Sequence, residues 1–256
     1  MISDQFWDVH FYECVDSTNH RVKEALAEGA AEGFCVTALQ QKGGYGRQGR
    51  TWASPLGGSY TSFALRPKAP LEQVPLLSLV ASLAVYRTLE RCRGKRGLAI
   101  KWPNDVLCNG GKIAGISLEA TAGGVCLGIG LNVFPSPDAQ VVPGKYSLSY
   151  IYDGVVPDRL SAEQAALMAD LHSVLLEEVR SCYTQWCAEG FAPFLEDYRS
   201  SMAFLERYAA LETIDGKPFV EGTIKGIDEE GRLLVLSNDG TMHAVASGEV
   251  HVTSVT

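Results

Sequence analysis

The pattern of this 256-residue sequence changes near residue 205, and the change limits the folds that the chain can adopt. Before it, long apolar runs with helical spacing alternate with short runs of strand-forming residues, which is typical of a mixed α/β domain. After it, short strand-like runs alternate with glycine-containing turns, which is typical of a small β-barrel. We therefore predict an α+β protein with a larger mixed-sheet domain over residues 1–205 and a small β domain over residues 206–256.

The same patterns predict individual elements. Ser17 and Gly29 should bound a short helix, because serine caps helix N-termini and glycine ends helices. Ser161 and Gln164 form a capping box ahead of a longer helix. The other elements predicted for the larger domain are a helix over Leu76–Cys92 and strands over Phe34–Leu39, Ser59–Leu65, Leu98–Trp102, Lys112–Glu119 and Val125–Leu131. The small domain should hold strands over Val220–Ile227, Arg232–Leu236 and Thr241–Val245, with turns at Asp215-Gly216, Glu230-Gly231 and Asn238-Asp239-Gly240.

Composition excludes several classes of protein. Apolar residues make up 46% of the chain and charged residues 20%, the balance of a globular protein. The formal net charge of −8 does not favour nucleic acid, so we expect no DNA partner. No signal peptide is recognisable, and the longest apolar run, around residues 76–85, is too short to cross a bilayer. We therefore expect no membrane partner. The seven cysteines show no CxxC spacing, so we expect reduced thiols and a cytoplasmic location.

Residues 43–52, which we call the glycine–arginine loop, form the most informative local motif. The loop contains four glycines, Arg47, Arg50 and Trp52, and no acidic residue. Glycine lets the backbone approach a ligand closely, and arginine offers a planar fork of donors that matches carboxylate and phosphate oxygens. By itself the motif fits either a solvated surface loop or a flexible cationic lid over a small anionic ligand.

A second motif, Lys101-Trp102-Pro103-Asn104-Asp105, follows a predicted strand, and Lys112 stands seven residues beyond Asp105. A tight turn at residues 109–111 should join two strands and bring Lys101 and Lys112 toward one region. Both lysines would then face an anionic ligand, with Asn104 and Asp105 at its mouth. An ordinary hairpin with exposed lysines would show the same local pattern.

Taken together, in order and in spacing, these motifs resemble those of the biotin protein ligases. The matching set also includes Ser17-Thr18-Asn19, Gln41, Ser54-Pro55, Lys112-Ile113-Ala114-Gly115 and Gly128-Ile129-Gly130-Leu131-Asn132 in the larger domain, and Gly226-Ile227-Asp228, Gly231-Arg232-Leu233-Leu234-Val235 and Ser247-Gly248-Glu249-Val250 in the smaller one. The resemblance covers almost the whole chain from about residue 10. It implies a biotin/lipoate ligase-like catalytic domain followed by an SH3-like domain.

The resemblance also implies a reaction in two steps. Biotin and ATP, with Mg²⁺, give biotinyl-adenylate and pyrophosphate, and the acyl group then passes to one lysine of a carboxylase's biotin carboxyl carrier domain. No tightly bound prosthetic group is expected. Both substrates bring anionic groups to the reacting centre, so the site must supply cations placed in advance.

Each matching residue acquires an implied role. Lys112 would bridge the biotin carboxylate and the α-phosphate as a charge stabiliser, and Trp52 would pack on the nucleotide side or anchor the loop base. Asp105 would bind Mg²⁺, directly or through water, or orient the incoming lysine amine. The implied catalytic set is Lys112, Arg47, Arg50 and Asp105; the implied biotin-binding set is Ser17, Thr18, Asn19, Gln41, Gly44, Arg47, Lys112 and Gly115; the implied ATP-binding set is Arg47, Arg50, Trp52, Lys101, Asn104 and Asn132.

Two departures from the family pattern qualify the resemblance. The family loop reads Gly-Arg-Gly-Arg-x-Gly-Arg, whereas Tyr45 stands here at the first arginine position, which predicts weaker electrostatic closure of the loop or closure by packing. The catalytic region begins close to the N-terminus, without a preceding helix-turn-helix domain. We therefore expect a monofunctional ligase rather than a DNA-binding repressor.

Three questions stay open at the level of sequence. A lipoate-type ligase shares the fold and the adenylating chemistry, and a biotin-binding sensor without transfer activity is a further alternative. The glycine–arginine loop, the Lys101–Asp105 motif and the SH3-like tail favour biotin, and the retained Lys112, Arg47 and Arg50 favour an enzyme. The family includes both monomers and homodimers, so the oligomeric state is not predicted.

Overall fold

The computed structural model describes residues 6–137, 147–213 and 217–252, so the turn predicted at Asp215-Gly216 lies outside the described residues. A seven-stranded sheet forms the centre of the larger domain. Its strands are β1 (Asp8–Val15), β2 (Phe34–Gln41), β3 (Gly58–Leu65), β4 (Leu98–Lys101), β5 (Asp105–Cys108), β6 (Gly111–Thr121) and β7 (Gly124–Asn132). Their order is β1-β2-β3-β7-β6-β5-β4, with β1 parallel to β2 and all other neighbours antiparallel.

Helices cover the two faces of this sheet unequally. The helices are α1 (Thr18–Ala27), α2 (Leu76–Arg93), α3 (Ala162–Glu189) and α4 (Leu195–Ser200). α2 and α3 pack on each other, and the main core forms where they cover one face. Alternation along β3 shows the division, because Phe63 and Leu65 join the main core while Ala64 packs in a small cluster with Val22 and Leu26 of α1. α1 covers only part of its face, which leaves room for a pocket.

A second, antiparallel sheet of five strands follows α4. It contains β8 (Tyr208–Glu212), β9 (Pro218–Ile227), β10 (Leu233–Leu236), β11 (Met242–Val245) and β12 (Glu249–Val252), in the order β11-β10-β9-β8-β12. Its apolar residues join the main core of the larger domain. Hydrogen bonds add to this contact: Trp102 Nε1 donates to Gly231 O at 2.9 Å, and the Arg199 guanidinium donates twice to Ile227 O. The predicted domain boundary at 205/206 falls between α4 and β8 and stays a prediction.

The structure confirms the α+β class and each predicted helix and strand, with bounds that move by a few residues. Ser17 accepts a hydrogen bond from His20 N as the N-cap of α1, and Ser161 and Gln164 form the predicted capping box. The sequence patterns missed β1, β5, β8, β12 and α4.

The predicted two-strand arrangement of Lys101 and Lys112 was wrong in one respect. β5 lies between them, so the turn at residues 109–110 joins β5 to β6, while Lys101 ends β4. β5 is only four residues long and follows directly on a Pro-containing turn, which hid it in the sequence.

Two further expectations concern membranes and thiols. None of the helices in the described part of the chain combines the length and the apolar character that crossing a bilayer requires. Four of the seven cysteines are buried, whereas Cys14 and Cys187 are exposed.

Candidate active site

The main pocket lies on the face of the large sheet that α1 covers only partly. Its volume is about 650 Å³, within the range of small-molecule sites. Alternate residues of three neighbouring strands form its floor. On adjacent strands Ser62, Gly128 and Ser117 lie side by side in one row, and Tyr60, Gly130 and Gly115 in the next.

Glycines in β6 and β7 leave space above the sheet for two side chains of the site. A Cβ built on Gly130 would lie 2.7 Å from Trp52 Nε1, and one on Gly115 would lie 2.8 Å from the same indole ring. A Cβ on Gly128 would lie 2.2 Å from Asn19 Oδ1. Contacts this short cannot form without displacement, so the glycines of β6 and β7 are what allow the Trp52 indole and the Asn19 amide to pack on the sheet.

A β-bulge turns Lys112 toward the pocket. Val106 of β5 pairs with Ala114 of β6, but the next residue, Leu107, pairs with Lys112. Ile113 is therefore the extra residue on β6. Ile113 and Ala114 are consecutive, yet both are buried in the main core, and the alternation resumes with Lys112 on the pocket face. If residues 112–114 formed a regular strand without the bulge, Lys112 would share the side of Ala114 and point into the apolar core.

Lys112 is held by groups on three sides. Its ammonium lies 2.7 Å from Asp105 Oδ1, as an ion pair rather than a well-aligned hydrogen bond, and 4.9 Å from the centroid of the Trp52 ring. Asn132 Nδ2 donates to Lys112 O at 3.0 Å and so fixes the backbone that carries the side chain. The side chains of Lys112 and Asp105 retain 26% and 15% exposure, so a ligand in the pocket can reach both.

The glycine–arginine loop folds as a short hairpin over the pocket. Gly46 N donates to Arg50 O at 2.8 Å, and Trp52 N donates to Gly44 O at 2.9 Å. Arg47 Nη1 donates to Asn104 Oδ1 at 2.9 Å, while the Asn104 amide nitrogen donates to Ile116 O. Burial acts to lower the pKa of Arg47 and nearby Asp105 opposes it; an arginine remains charged at neutral pH regardless.

Thr18, Asn19, Gln41 and Ser117 line another part of the pocket, and Ser54 and Ser62 hydrogen-bond to them from outside the lining. We call these six residues the polar end. Gln41 Oε1 accepts from Thr18 N and Thr18 Oγ1, at 2.8 and 3.0 Å, and Gln41 Nε2 donates to Ser54 Oγ at 2.9 Å. Ser62 Oγ lies within hydrogen-bond distance of both Thr18 Oγ1 and Asn19 Oδ1, and Asn19 Nδ2 donates to Ser117 Oγ. The cluster is a connected network whose orientation folding fixes.

Most residues predicted for the site come together here. Those that line the pocket are Thr18, Asn19, Gln41, Arg47, Arg50, Trp52, Lys101, Asn104, Asp105, Lys112, Gly115 and Asn132. Ser17 does not, because its hydroxyl caps α1 and is buried behind Thr18. Gly44 does not either, and a Cβ there would meet Ser54 Oγ and Gln41 Nε2, so its role is to let the loop base pass the polar end.

Sequence reasoning missed other lining residues, among them Tyr60, Ser117, Leu148 and Glu212. Ser117 stands two residues from Gly115 on the same face of β6, a spacing that could have identified it. Glu212 comes from β8, so its position depends on how the C-terminal sheet docks, and no local signal carries that information. Among the described residues, no three His, Cys, Asp or Glu side chains are grouped as metal ligands.

The fold and the site define an α+β protein with two sheets and one pocket that combines cationic and polar side chains. The sequence matches the Biotin/lipoate A/B protein ligase family over residues 11–133 and the Biotin protein ligase C terminal domain over residues 210–252. It is 34% identical over 230 residues to the biotin–[acetyl-CoA-carboxylase] ligase of Paracoccus denitrificans, which covers 86% of this chain and 90% of that protein. The chain belongs to the biotin protein ligase family.

Further comparisons agree. The biotin–[acetyl-CoA-carboxylase] ligase of Mycobacterium tuberculosis is 33% identical over 240 residues, 91% of this chain and 85% of that protein. The structure of the Aquifex aeolicus biotin protein ligase in complex with biotin and ATP matches with a TM-score of 0.77 at 26% identity, covering 96% of this chain and 98% of that one.

Proposed function

We propose that this protein uses ATP to attach biotin to one lysine of a biotin carboxyl carrier domain, through biotinyl-5′-adenylate. The observation that supports it best is that one pocket is lined by Lys112, by polar residues of α1 and β2, and by the arginines of the glycine–arginine loop. A ligand with an uncharged hydrogen-bonding ring, a carboxylate and a phosphate chain offers a group to each of the three.

In the first step, a biotin carboxylate oxygen attacks the α-phosphorus of ATP, and the bond to the pyrophosphate oxygen breaks. Thr18, Asn19 and Gln41 bind and orient the biotin ring system. Lys112 and Arg47 stabilise the negative charge on the approaching carboxylate and phosphate oxygens, which repel each other until cations lie between them. Arg50, Lys101, Asn104 and Asn132 are proposed to bind the ATP side, and Trp52 to pack on the nucleotide.

In the second step, the amine of the acceptor lysine attacks the acyl carbon, and AMP leaves. The glycine–arginine loop keeps water from the mixed anhydride until the amine arrives. We propose that the acceptor is a carboxylase carrier domain, consistent with the activity that the names of the relatives state.

Asp105 suits a magnesium ion that accompanies ATP. Mg²⁺ is usually held by one or two carboxylates together with phosphate oxygens and water, and Asp105 is a partly buried carboxylate inside the pocket. Such an ion would neutralise phosphate charge. Asp105→Asn should raise the Mg²⁺ concentration needed for half-maximal adenylation; an unchanged requirement would favour the other proposed role, orienting the acceptor amine.

One assay separates this proposal from its alternatives. Biotin-dependent ATP–pyrophosphate exchange is expected, lipoate should give none, and labelled biotin should reach a purified carrier domain. Exchange with lipoate instead would indicate the lipoate-type ligase, and biotin binding without exchange would indicate the sensor.

Location and assembly complete the proposal. We place the protein in the cytoplasm, where its carrier substrate would be made. The oligomeric state is open between a monomer and a homodimer built by sheet extension, and sedimentation velocity distinguishes the two.

A further inference from the structure

Glu119 connects three separate elements beside the pocket. It lies on β6 and accepts a hydrogen bond from the Tyr45 hydroxyl at 2.9 Å through Oε1. Its Oε2 pairs with the ammonium of Lys23, on α1, at 2.8 Å. One carboxylate therefore joins the glycine–arginine loop to the sheet and to α1.

The Tyr45 ring is enclosed as well as hydrogen-bonded. It packs against the His20 ring with 5.0 Å between the two ring centroids. Lys23 Nζ lies 5.2 Å from the centroid of the Tyr45 ring. Burial raises the pKa of Tyr45, so the phenol keeps the proton that it donates. Burial acts to lower the pKa of Lys23, but its hydrogen bonds to Glu119 and Tyr45 outweigh burial and raise it.

The position of Tyr45 determines where the loop arginines enter the pocket. Tyr45 pairs with Thr51 as a β-bridge at the base of the hairpin, and Arg47 is two residues further along. Two hydrogen bonds attach the loop to neighbouring elements, Tyr45–Glu119 and Arg47–Asn104. Loss of the first would remove a restraint on the loop just ahead of Arg47.

We propose that Tyr45, Glu119 and Lys23 form a latch that holds the glycine–arginine loop closed over the pocket. The family pattern has an arginine at position 45, whereas in this chain the cation stands on α1, as Lys23, and the loop contributes a neutral phenol. Tyr45 and Glu119 are positioning residues, because they touch the loop and the sheet rather than the reacting atoms. The catalytic consequence rests on the proposed function; the closure itself does not.

Limited trypsin digestion of the ligand-free protein tests closure without any assumption about activity. Cleavage after Arg47 and Arg50, followed by mass spectrometry, should be about tenfold faster in Tyr45→Phe and Glu119→Ala, the factor expected for loss of one hydrogen bond to a charged group. Tyr12→Phe, on the exposed edge strand β1, and Glu206→Ala, which removes an exposed partner of Lys225, are matched controls. Wild-type cleavage rates in both latch variants would overturn the proposal.

Release of the intermediate tests the catalytic consequence. Labelled biotinyl-adenylate formed on the enzyme should dissociate about tenfold faster from Tyr45→Phe, with a raised KM for ATP and an unchanged biotin Kd. The double variant Tyr45→Phe/Glu119→Ala should release it no faster than the faster single variant, because both remove the same contact. Additive effects would refute a shared latch. If the wild-type protein forms no adenylate, the proposed function fails and the digestion still decides whether the loop is latched.

Discussion

The two ends of the pocket are built differently. At the polar end, side chains from α1, β2, β3 and β6 hydrogen-bond to one another, and Thr18, Asn19 and Ser62 are all buried. At the other end, the glycine–arginine loop is half-exposed, and Arg47 donates a hydrogen bond to Asn104. Folding therefore fixes the first end in advance, whereas we propose that a phosphate ligand completes the second.

This difference suits the two ligands. A ring system with a few hydrogen-bonding groups is recognised by donors and acceptors whose places do not change. A polyphosphate that must enter and leave as pyrophosphate and AMP needs cations that can move. Substitutions at the two ends should accordingly affect different kinetic constants.

The largest effect is expected where the two ends meet. Lys112→Ala should reduce the rate of adenylate formation by about 100- to 1000-fold, because it removes a donor placed where charge develops in the transition state. The protein should stay folded, since Lys112 is part of one ion pair at the pocket surface. Single-turnover adenylation, with Lys225→Ala as the control, measures the loss; a wild-type rate would remove Lys112 from the chemistry.

Arg47→Ala should slow adenylation and weaken ATP binding, without weakening the binding of biotin alone. The guanidinium is partly buried and donates to Asn104, so we expect KM for ATP to rise by roughly tenfold to a hundredfold while the biotin Kd is unchanged. Arg47→Lys should recover little of this, because an ammonium lacks the planar fork. Calorimetry for biotin and initial rates for ATP separate the two constants. Weakened biotin binding would mean that the ends are not independent.

Thr18→Val makes the converse test at the polar end. Valine keeps the shape but removes the hydroxyl that links Ser62 to Gln41. Biotin should bind about tenfold more weakly, and the melting temperature should fall by about 3 °C, since a buried donor loses its partner. KM for ATP should hardly change. If it rises as much as the biotin Kd, the comparison between the two ends fails.

Sequence patterns predicted the two ends unequally. The glycine–arginine loop and the Lys101–Asp105 motif are each a continuous segment, so local sequence is enough to indicate their chemistry. The polar end is assembled by sheet register, which pairs Ser62 with Gly128 and Gly128 with Ser117 across three strands, and register is not written in any one of them.

Two features show what no local pattern supplies. The bulge at Ile113, which turns Lys112 to the pocket, depends on how β5 pairs with β6 and reads in sequence as unbroken strand. The contact of Lys23 with Glu119 joins residues 96 positions apart. The sequence around Tyr45 therefore shows a missing arginine, and only the fold shows that α1 brings the cation of Lys23 to the same place.

The smallest effect is expected for Arg50, the second arginine of the glycine–arginine loop. Arg50 is exposed, and its guanidinium donates to Gln48 Oε1 at 3.0 Å within the same turn. Because Arg50 is exposed, its attraction for a phosphate is screened by water and salt, so Arg50→Ala should raise KM for ATP by only about threefold. Because screening is the reason, the difference between wild type and variant should shrink further between 50 and 300 mM salt, while that of Arg47→Ala persists. Initial rates across a salt series measure both. An Arg50 effect as large and as salt-resistant as that of Arg47 would show that ligand binding buries the whole loop, and that the contrast between the two ends belongs to the ligand-free protein alone.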